Sequence, residues 1–317
     1  MGNKLSAAGT IAVVCGVAML VGGAVTTARA GDLKGEVKVD GSSTVYLITE
    51  AVAAAFKKEH PDVRITVGIS GTGGGFKKFS AGETDISDAS RPIKPAEVEA
   101  CRKNGIDFIE LQVGWDGLSV VINPENTWAR QLTVAQLHKI WQPNSKVKRW
   151  SDVDPSWPDQ PVKLFGPGSD SGTFDFFCEA INGKEKAHRT DYTPSEDDNV
   201  VVSGVAGNKY AMGYFGLAYY EENKDKLQLA AIAAKEGGPF VQPSEKTVVN
   251  KTYKPLSRPL FVYVKKSSLK RPEIQQFVSF YLRRYDLVTQ AKYIKTNTRV
   301  RNEQVDKLEN ALKDVGN

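Results

Sequence analysis

Four short stretches carry the residues best suited to chemistry: Gly41-Ser42-Ser43-Thr44, Gly71-Thr72-Gly73-Gly74-Gly75, Asp88-Ala89-Ser90-Arg91-Pro92 and Gly168-Ser169-Asp170-Ser171-Gly172-Thr173. Each follows a β-rich run and precedes a segment with helical character. Glycine lets another group approach the main chain closely, short alcohols donate hydrogen bonds, and a helix start offers free N–H groups at the positive end of its dipole. That chemistry suits a small anion. One such turn alone is explained by helix capping, in which a hydroxyl accepts from backbone N–H groups. Four together say more, because strand ends and the helix starts that follow them share one edge of an open α/β sheet.

The elements that must position these turns alternate along the chain. Val37–Asp40 reads as a strand, and Val45, Ile48, Val52, Ala55 and Phe56 fall on one face of a helix that stops before Pro61. Arg64–Ile69 and Asp85–Asp88 read as further strands, with the glycine-rich stretch as a turn between them and a short helix opening at Phe76. Pro95 opens a helix that closes at Gly105. Phe108–Val113 and Leu118–Ile122 form two strand candidates separated by Gly114-Trp115-Asp116-Gly117, a crossing point between domains. Beyond it come a helix at Thr133–Trp141, a strand at Val162–Phe165, a helix from Phe174 to Ile181, a helix start at Asp198-Asn199 and a strand over Gly213–Tyr219. The run Leu260-Phe261-Val262-Tyr263-Val264 reads as the return crossing, followed by a helix over Pro272–Arg284. The fold class expected is α/β with mostly parallel sheets: two lobes, the first discontinuous over 31–114 and 256–317, the second over 115–255, joined by two hinge crossovers.

The chain has 317 residues, 41% hydrophobic and 25% charged, a composition that excludes general disorder and allows two cores. At the N-terminus, Lys4, an apolar run from Ile11 to Val25 and Ala28-Arg29-Ala30 read as an export signal over residues 1–30, cleaved after about Ala30. That run is short of the roughly 20 residues a membrane span needs. Removing Lys4 and Arg29 leaves 40 basic against 37 acidic residues, and the basic ones are scattered, so no nucleic-acid stripe forms. Cys101 and Cys178 remain after Cys15 is lost; an exported chain allows them to pair, with two buried free thiols as the alternative.

Five segments, VDGSSTVYLI, GTGGGFKKF, DISDASRPI, SDSGTFDFF and GVAGNKYAMGYFGLAYY, resemble in order and spacing the phosphate-binding components of bacterial ABC transporters, across nearly the whole mature chain. The resemblance implies a periplasmic binding protein fold, a monomer that closes by its hinge on one dehydrated inorganic phosphate and delivers it to a membrane ABC permease complex. By motif it assigns phosphate contacts to Thr44 with the Val45 N–H and Ser43 beside them, to Thr72 and Gly73, and to Ser171, Gly172 and Thr173. It implies no cofactor, no metal and no catalysis.

Two positions depart from the family pattern. Ser90 stands where many members have an aspartate, and Pro167 where an arginine precedes the S-G-T cluster. Arg91 is the expected replacement for that guanidinium, its planar fork being suited to an oxyanion. Asp170 and Asp198 are the expected acceptors for the proton that phosphate keeps at neutral pH and sulfate lacks. Competing readings are a binding protein for another oxyanion or a phosphorylated metabolite, an adhesive protein on the same scaffold, and a phosphatase-type hydrolase. The hydrolase reading is disfavoured because no Gly-x-Ser-x-Gly elbow, P-loop or zinc-ligand spacing occurs, and His60, His138 and His188 lie outside the turns.

Overall fold

The computed structural model describes residues 33–169, 171–195 and 197–316; the segment expected to be the export signal, and Asp170, lie outside the described residues. The chain opens with β1 (Gly35–Gly41), α1 (Ser43–Glu59), β2 (Val63–Ile69), α2 (Gly71–Ser80), β3 (Ile86–Ala89) and α3 (Pro95–Lys103). A long strand, β4 (Phe108–Ile122), leads to β5 (Gln131–Thr133), α4 (Val134–Trp141), β6 (Lys163–Pro167), α5 (Gly172–Asn182), β7 (Thr193–Ser195) and α6 (Asp198–Ala206). Then come β8 (Ala211–Gly216), α7 (Leu217–Glu221), β9 (Gln228–Leu229), β10 (Ala231–Ala233) and α8 (Glu245–Val249). The chain returns through β11 (Ser257–Lys265) to α9 (Pro272–Arg283), α10 (Asp286–Gln290) and α11 (Thr298–Gly316).

The main sheet runs β2-β1-β3-β11-β4-β8-β6-β7, with β9 also on β4. Its two wings are parallel, β1 beside β2 and β3, and β6 beside β7 and β8. Between them, β11 and β4 are antiparallel to each other and to the strands that flank them. Two large cores follow. The first gathers Val37, Ile48, Phe56, Val113, Leu260 and Phe277; the second gathers Trp115, Leu118, Trp141, Trp150, Tyr214 and Leu256. The chain therefore changes core between Val113 and Trp115 and changes back between Leu256 and Leu260, at paired positions on β4 and β11.

Several expectations need correcting. Gly114–Gly117 does not divide β4: the strand is continuous, and the two glycines admit neighbouring side chains to its face. A Cβ at Gly117 would lie 2.7 Å from Val248 Cγ2, and one at Gly114 3.2 Å from Val288 Cγ1. The glycine-rich stretch is not a turn before a helix but the first turns of α2 itself. Its glycines let the helix lie directly on β1, since a Cβ at Gly75 would meet the Gly41 Cα at 2.5 Å. The strand expected to reach Tyr219 ends at Gly216, where α7 begins. Cys101 and Cys178 are separate buried thiols, so the disulfide alternative fails; burial pushes the Cys178 thiol up to about 12. No described helix is long and apolar enough to cross a membrane.

Candidate anion-binding cleft

Three helix starts meet between the cores. Ser42 caps α1, accepting from the Val45 N–H at 3.4 Å, and Ser171 caps α5, accepting from the Thr173 N–H at 3.2 Å. The third, at α2, has Gly71 at φ +72°, a left-handed conformation in which glycine escapes the Cβ penalty and turns β2 directly into the helix. Ser42, Ser43, Thr44, Gly71, Thr72, Ser90, Gly172, Asp175, Glu185 and Arg258 line one small cleft of about 20 Å³. Residues from all four of the chemically suggestive stretches are thus brought together.

The two lobes are pressed close at this point. A Cβ built on Gly172 would fall 2.5 Å from Thr44 Oγ1, 2.8 Å from the Thr44 nitrogen and 2.9 Å from Ser43 Oγ. Glycine is required there by contact rather than by φ.

The guanidinium in the cleft is Arg258, a residue the sequence reading missed. Its Nη2 donates to Thr44 Oγ1 at 2.8 Å and to the Gly172 carbonyl at 3.3 Å, and its Nη1 donates to Ser90 Oγ at 3.1 Å. The group therefore touches both lobes. From below it is held by Asp116, directly opposite on β4, whose Oδ2 accepts from Nε at 3.3 Å. The Phe176 ring lies 3.9 Å from the guanidinium carbon, a cation–π contact strengthened by exclusion of water. Asp116 is almost fully buried; desolvation pushes its carboxyl upward, and the Arg258 charge and hydrogen bond oppose that rise.

Because a guanidinium only donates, Thr44 and Ser90 accept from Arg258 and keep their hydroxyl hydrogens for another acceptor. Thr72 Oγ1 likewise accepts from the Ser90 N–H at 3.2 Å and lies 3.1 Å from Ser90 Oγ. Arg258 thereby sets a ring of alcohols as hydrogen-bond donors.

Other expected site residues are placed differently. Arg91 forms a bidentate pair with Glu97, at 2.9 and 2.7 Å, and faces Phe76 at 5.6 Å. That pairing raises the Arg91 pKa, with weaker help from Glu179 and Glu185 of the other lobe. The N–H groups of Val45 and Thr173 are taken by the caps. Gly73 faces Arg91, with a built Cβ 3.9 Å from Nη2. Asp198 lies in the first turn of α6, capped by Asp197, in the electrostatic neighbourhood of Tyr219 and Tyr293. The histidines stand elsewhere: His138 bonds to Ile181 and Asn182, and His188 sits among Trp141, Phe174, Tyr192 and Tyr214, where burial lowers its pKa to about 4.

Behind the cleft, Asp88 is buried beside Thr49. Its backbone carbonyl accepts from the Ser42 N–H and so anchors the first turn of α1. Desolvation pushes its pKa up to about 8, assisted by Asp40 and partly offset by Thr49. Between pH 3.8 and about 8 the folded chain holds a proton that the unfolded chain has lost, so stability falls as pH rises. His188 acts in the opposite sense, but only between about 4 and 6.5. From pH 6.5 to 8 the Asp88 contribution stands clear of His188, and about 2 kcal/mol is expected to disappear across it. In urea titrations over that range, Asp88→Asn is expected to abolish the decline in midpoint; an unchanged decline would show that Asp88 is not its source.

Cleft and topology together define a two-lobed binding protein with a donor-rich site between its lobes. A model of the PBP superfamily domain matches residues 26–284. Protein SphX of Synechococcus elongatus is 50% identical over 248 residues, covering 78% of this chain and 73% of that protein. Phosphate-binding protein PstS of Staphylococcus epidermidis is 40% identical over 285 residues, covering 89% and 85%. The crystal structure of a possible phosphate-binding protein from Planctomyces limnophilus superposes with a TM-score of 0.85 at 49% identity, covering 88% of this chain and 99% of that one. The chain belongs to the PBP superfamily and, within it, to the family of SphX and PstS.

Proposed function

We propose that the protein binds inorganic phosphate between its lobes, after export and loss of residues 1–30, and hands it to a membrane ABC permease. The lobes divide as 31–114 with 256–317, and 115–255. The observation that carries the reading is the Arg258 guanidinium, which reaches hydroxyls of one lobe and a helix-start carbonyl of the other inside one cleft. The relatives named above, two of which carry phosphate binding in their names, support the choice of ligand.

Thr44, Thr72 and Ser90 supply hydroxyl donors, Arg258 supplies charge, and Ser43 and Gly172 complete the walls. Gly73, Ser171 and Thr173 shape the helix starts, and Arg91 steadies the rim through Glu97. A space of about 20 Å³ has room for about one water, so a five-atom oxyanion enters only when the helix starts part. Phosphate then shifts the population back toward closure by bonding to both lobes. No step requires turnover, and none of the three histidines lines the cleft.

Titration calorimetry of the mature chain with phosphate, sulfate and an organic phosphate tests the reading. Phosphate is expected to bind far more tightly than the others; equal or stronger binding of an organic phosphate would refute it. Thr72→Ala is expected to weaken phosphate by about tenfold, the value of one hydrogen bond to a charged group. Arg91→Ala is expected to change affinity much less.

A further inference from the structure

The start of α2 carries Thr72 into the cleft, yet α2 has little of its own to hold that start in place. Four of its first five residues are glycines, which lower helix propensity, and Gly71 takes a left-handed φ. Ser42 and Ser171 cap α1 and α5, but Ser70 makes no side-chain cap to α2. Its hydroxyl donates instead to Asp40 Oδ1 on β1. The other oxygen of that carboxylate, Oδ2, accepts from Lys78 Nζ, in the last turn of α2, at 2.6 Å. One buried side chain therefore holds both ends of a ten-residue helix. We propose that Asp40 is a positioning residue for anion binding, fixing α2 so that the Thr72 hydroxyl meets the ligand, an inference that rests on the phosphate-binding reading.

The backbone around this link is cut to fit it. Asp40 stands opposite Gly68 on β2, where a Cβ would lie 2.3 Å from Oδ2, and a Cβ at Gly74 would lie 2.8 Å from Ser70 Oγ. Either methyl would displace one of the partners. Charge alone argues against a carboxylate here, because Asp40 is only two residues from Ser42 of the cleft wall and repels an anion, a cost that the Lys78 ammonium offsets. The two effects of removing Asp40 therefore have opposite signs. Phosphate binding strengthens if charge governs and weakens if placement of α2 governs.

The test is calorimetry of the mature protein with inorganic phosphate for wild type, Asp40→Ala, Thr72→Ala and the double variant, with thermal unfolding to confirm folding. Asp40→Ala is expected to weaken phosphate about tenfold when Thr72 is present and less than about twofold when Thr72 is already alanine, since no hydroxyl is then left to place. A merely structural loss would cost the same in both backgrounds. Ser70→Ala, which keeps the Lys78 link, is expected to cost about threefold and to be masked by Thr72→Ala in the same way; it decides the outcome if Asp40→Ala does not fold. The assignment is overturned if the folded variant binds as wild type or more tightly, if its loss is undiminished in the Thr72→Ala background, or if Thr72→Ala binds as wild type. If wild type binds no phosphate, the functional reading itself fails and this inference falls with it.

Discussion

Replacing Arg258 by lysine is expected to cost tenfold to more than a hundredfold in phosphate affinity while leaving a folded protein. The charge is kept, so Asp116 retains a cation beneath the cleft, but one ammonium cannot reach Thr44, Ser90, Gly172 and Asp116 together. Losing the fork releases the alcohols from their donor orientation and removes a charge-assisted contact worth about 1.5–3 kcal/mol. Arg258→Ala has a second effect. It strands a carboxylate whose side chain is only 2% exposed, and breaking a buried pair costs about 3–5 kcal/mol of stability. Asp116→Asn in the same chain is therefore expected to restore much of the stability of Arg258→Ala and none of its phosphate binding. Urea unfolding and calorimetry on the single and double variants separate the two effects. An Arg258→Lys protein with wild-type affinity would remove the arginine from the site.

Arg258 also shows where reading the sequence stops. The four turns were legible because their signal is local: hydroxyls and glycines at fixed offsets from a strand and a helix start. The first crossing was legible at Gly114–Gly117, although as a break in a strand that is in fact continuous, and the return crossing was read at Leu260–Val264, just beyond the stretch between Leu256 and Leu260 where the core changes. Arg258 has no such local mark. It gains its role only because β4 and β11 run antiparallel with Arg258 directly opposite Asp116, a pairing across 142 residues. A usable signal was present in the two crossings, where Gly114-Trp115-Asp116-Gly117 carries one acid and Leu256-Ser257-Arg258-Pro259-Leu260 one base within otherwise apolar surroundings. Opposite charges at both crossings of one hinge predict a buried pair. Arg91 misled for the converse reason: it lies in a site turn, but Glu97, six residues on and at the start of α3, takes both of its terminal nitrogens. The glycines of α2 were misread because their low helix propensity is overridden by the close packing on β1 that they permit. The C-terminal helices α10 and α11 were passed over altogether. α11 buries only Gln304, Leu308 and Ala311 on a largely charged surface, a weak apolar stripe from which to infer a helix.

Gly172→Ala is expected to weaken phosphate binding by more than a hundredfold without destabilising the protein. The added methyl would lie 2.5 Å from Thr44 Oγ1 and 2.8 Å from the Thr44 nitrogen, and the latter belongs to the backbone of α1, which cannot swing aside as a side chain can. Gly172 is the first residue of α5 and does not have a left-handed φ, so alanine fits the backbone there and the second lobe by itself loses nothing. The clash exists only when the lobes are closed. The substitution therefore acts on the equilibrium between open and closed forms, and a shift of about 3 kcal/mol toward the open form carries the expected loss in affinity. Small-angle X-ray scattering distinguishes this from damage to the donors: Gly172→Ala should remain expanded at phosphate concentrations that compact the wild type, whereas Thr72→Ala should still compact once phosphate is raised about tenfold. Should Gly172→Ala close normally and bind as wild type, the contact between the starts of α1 and α5 would have no part in closure, and the site would have to be complete on one lobe.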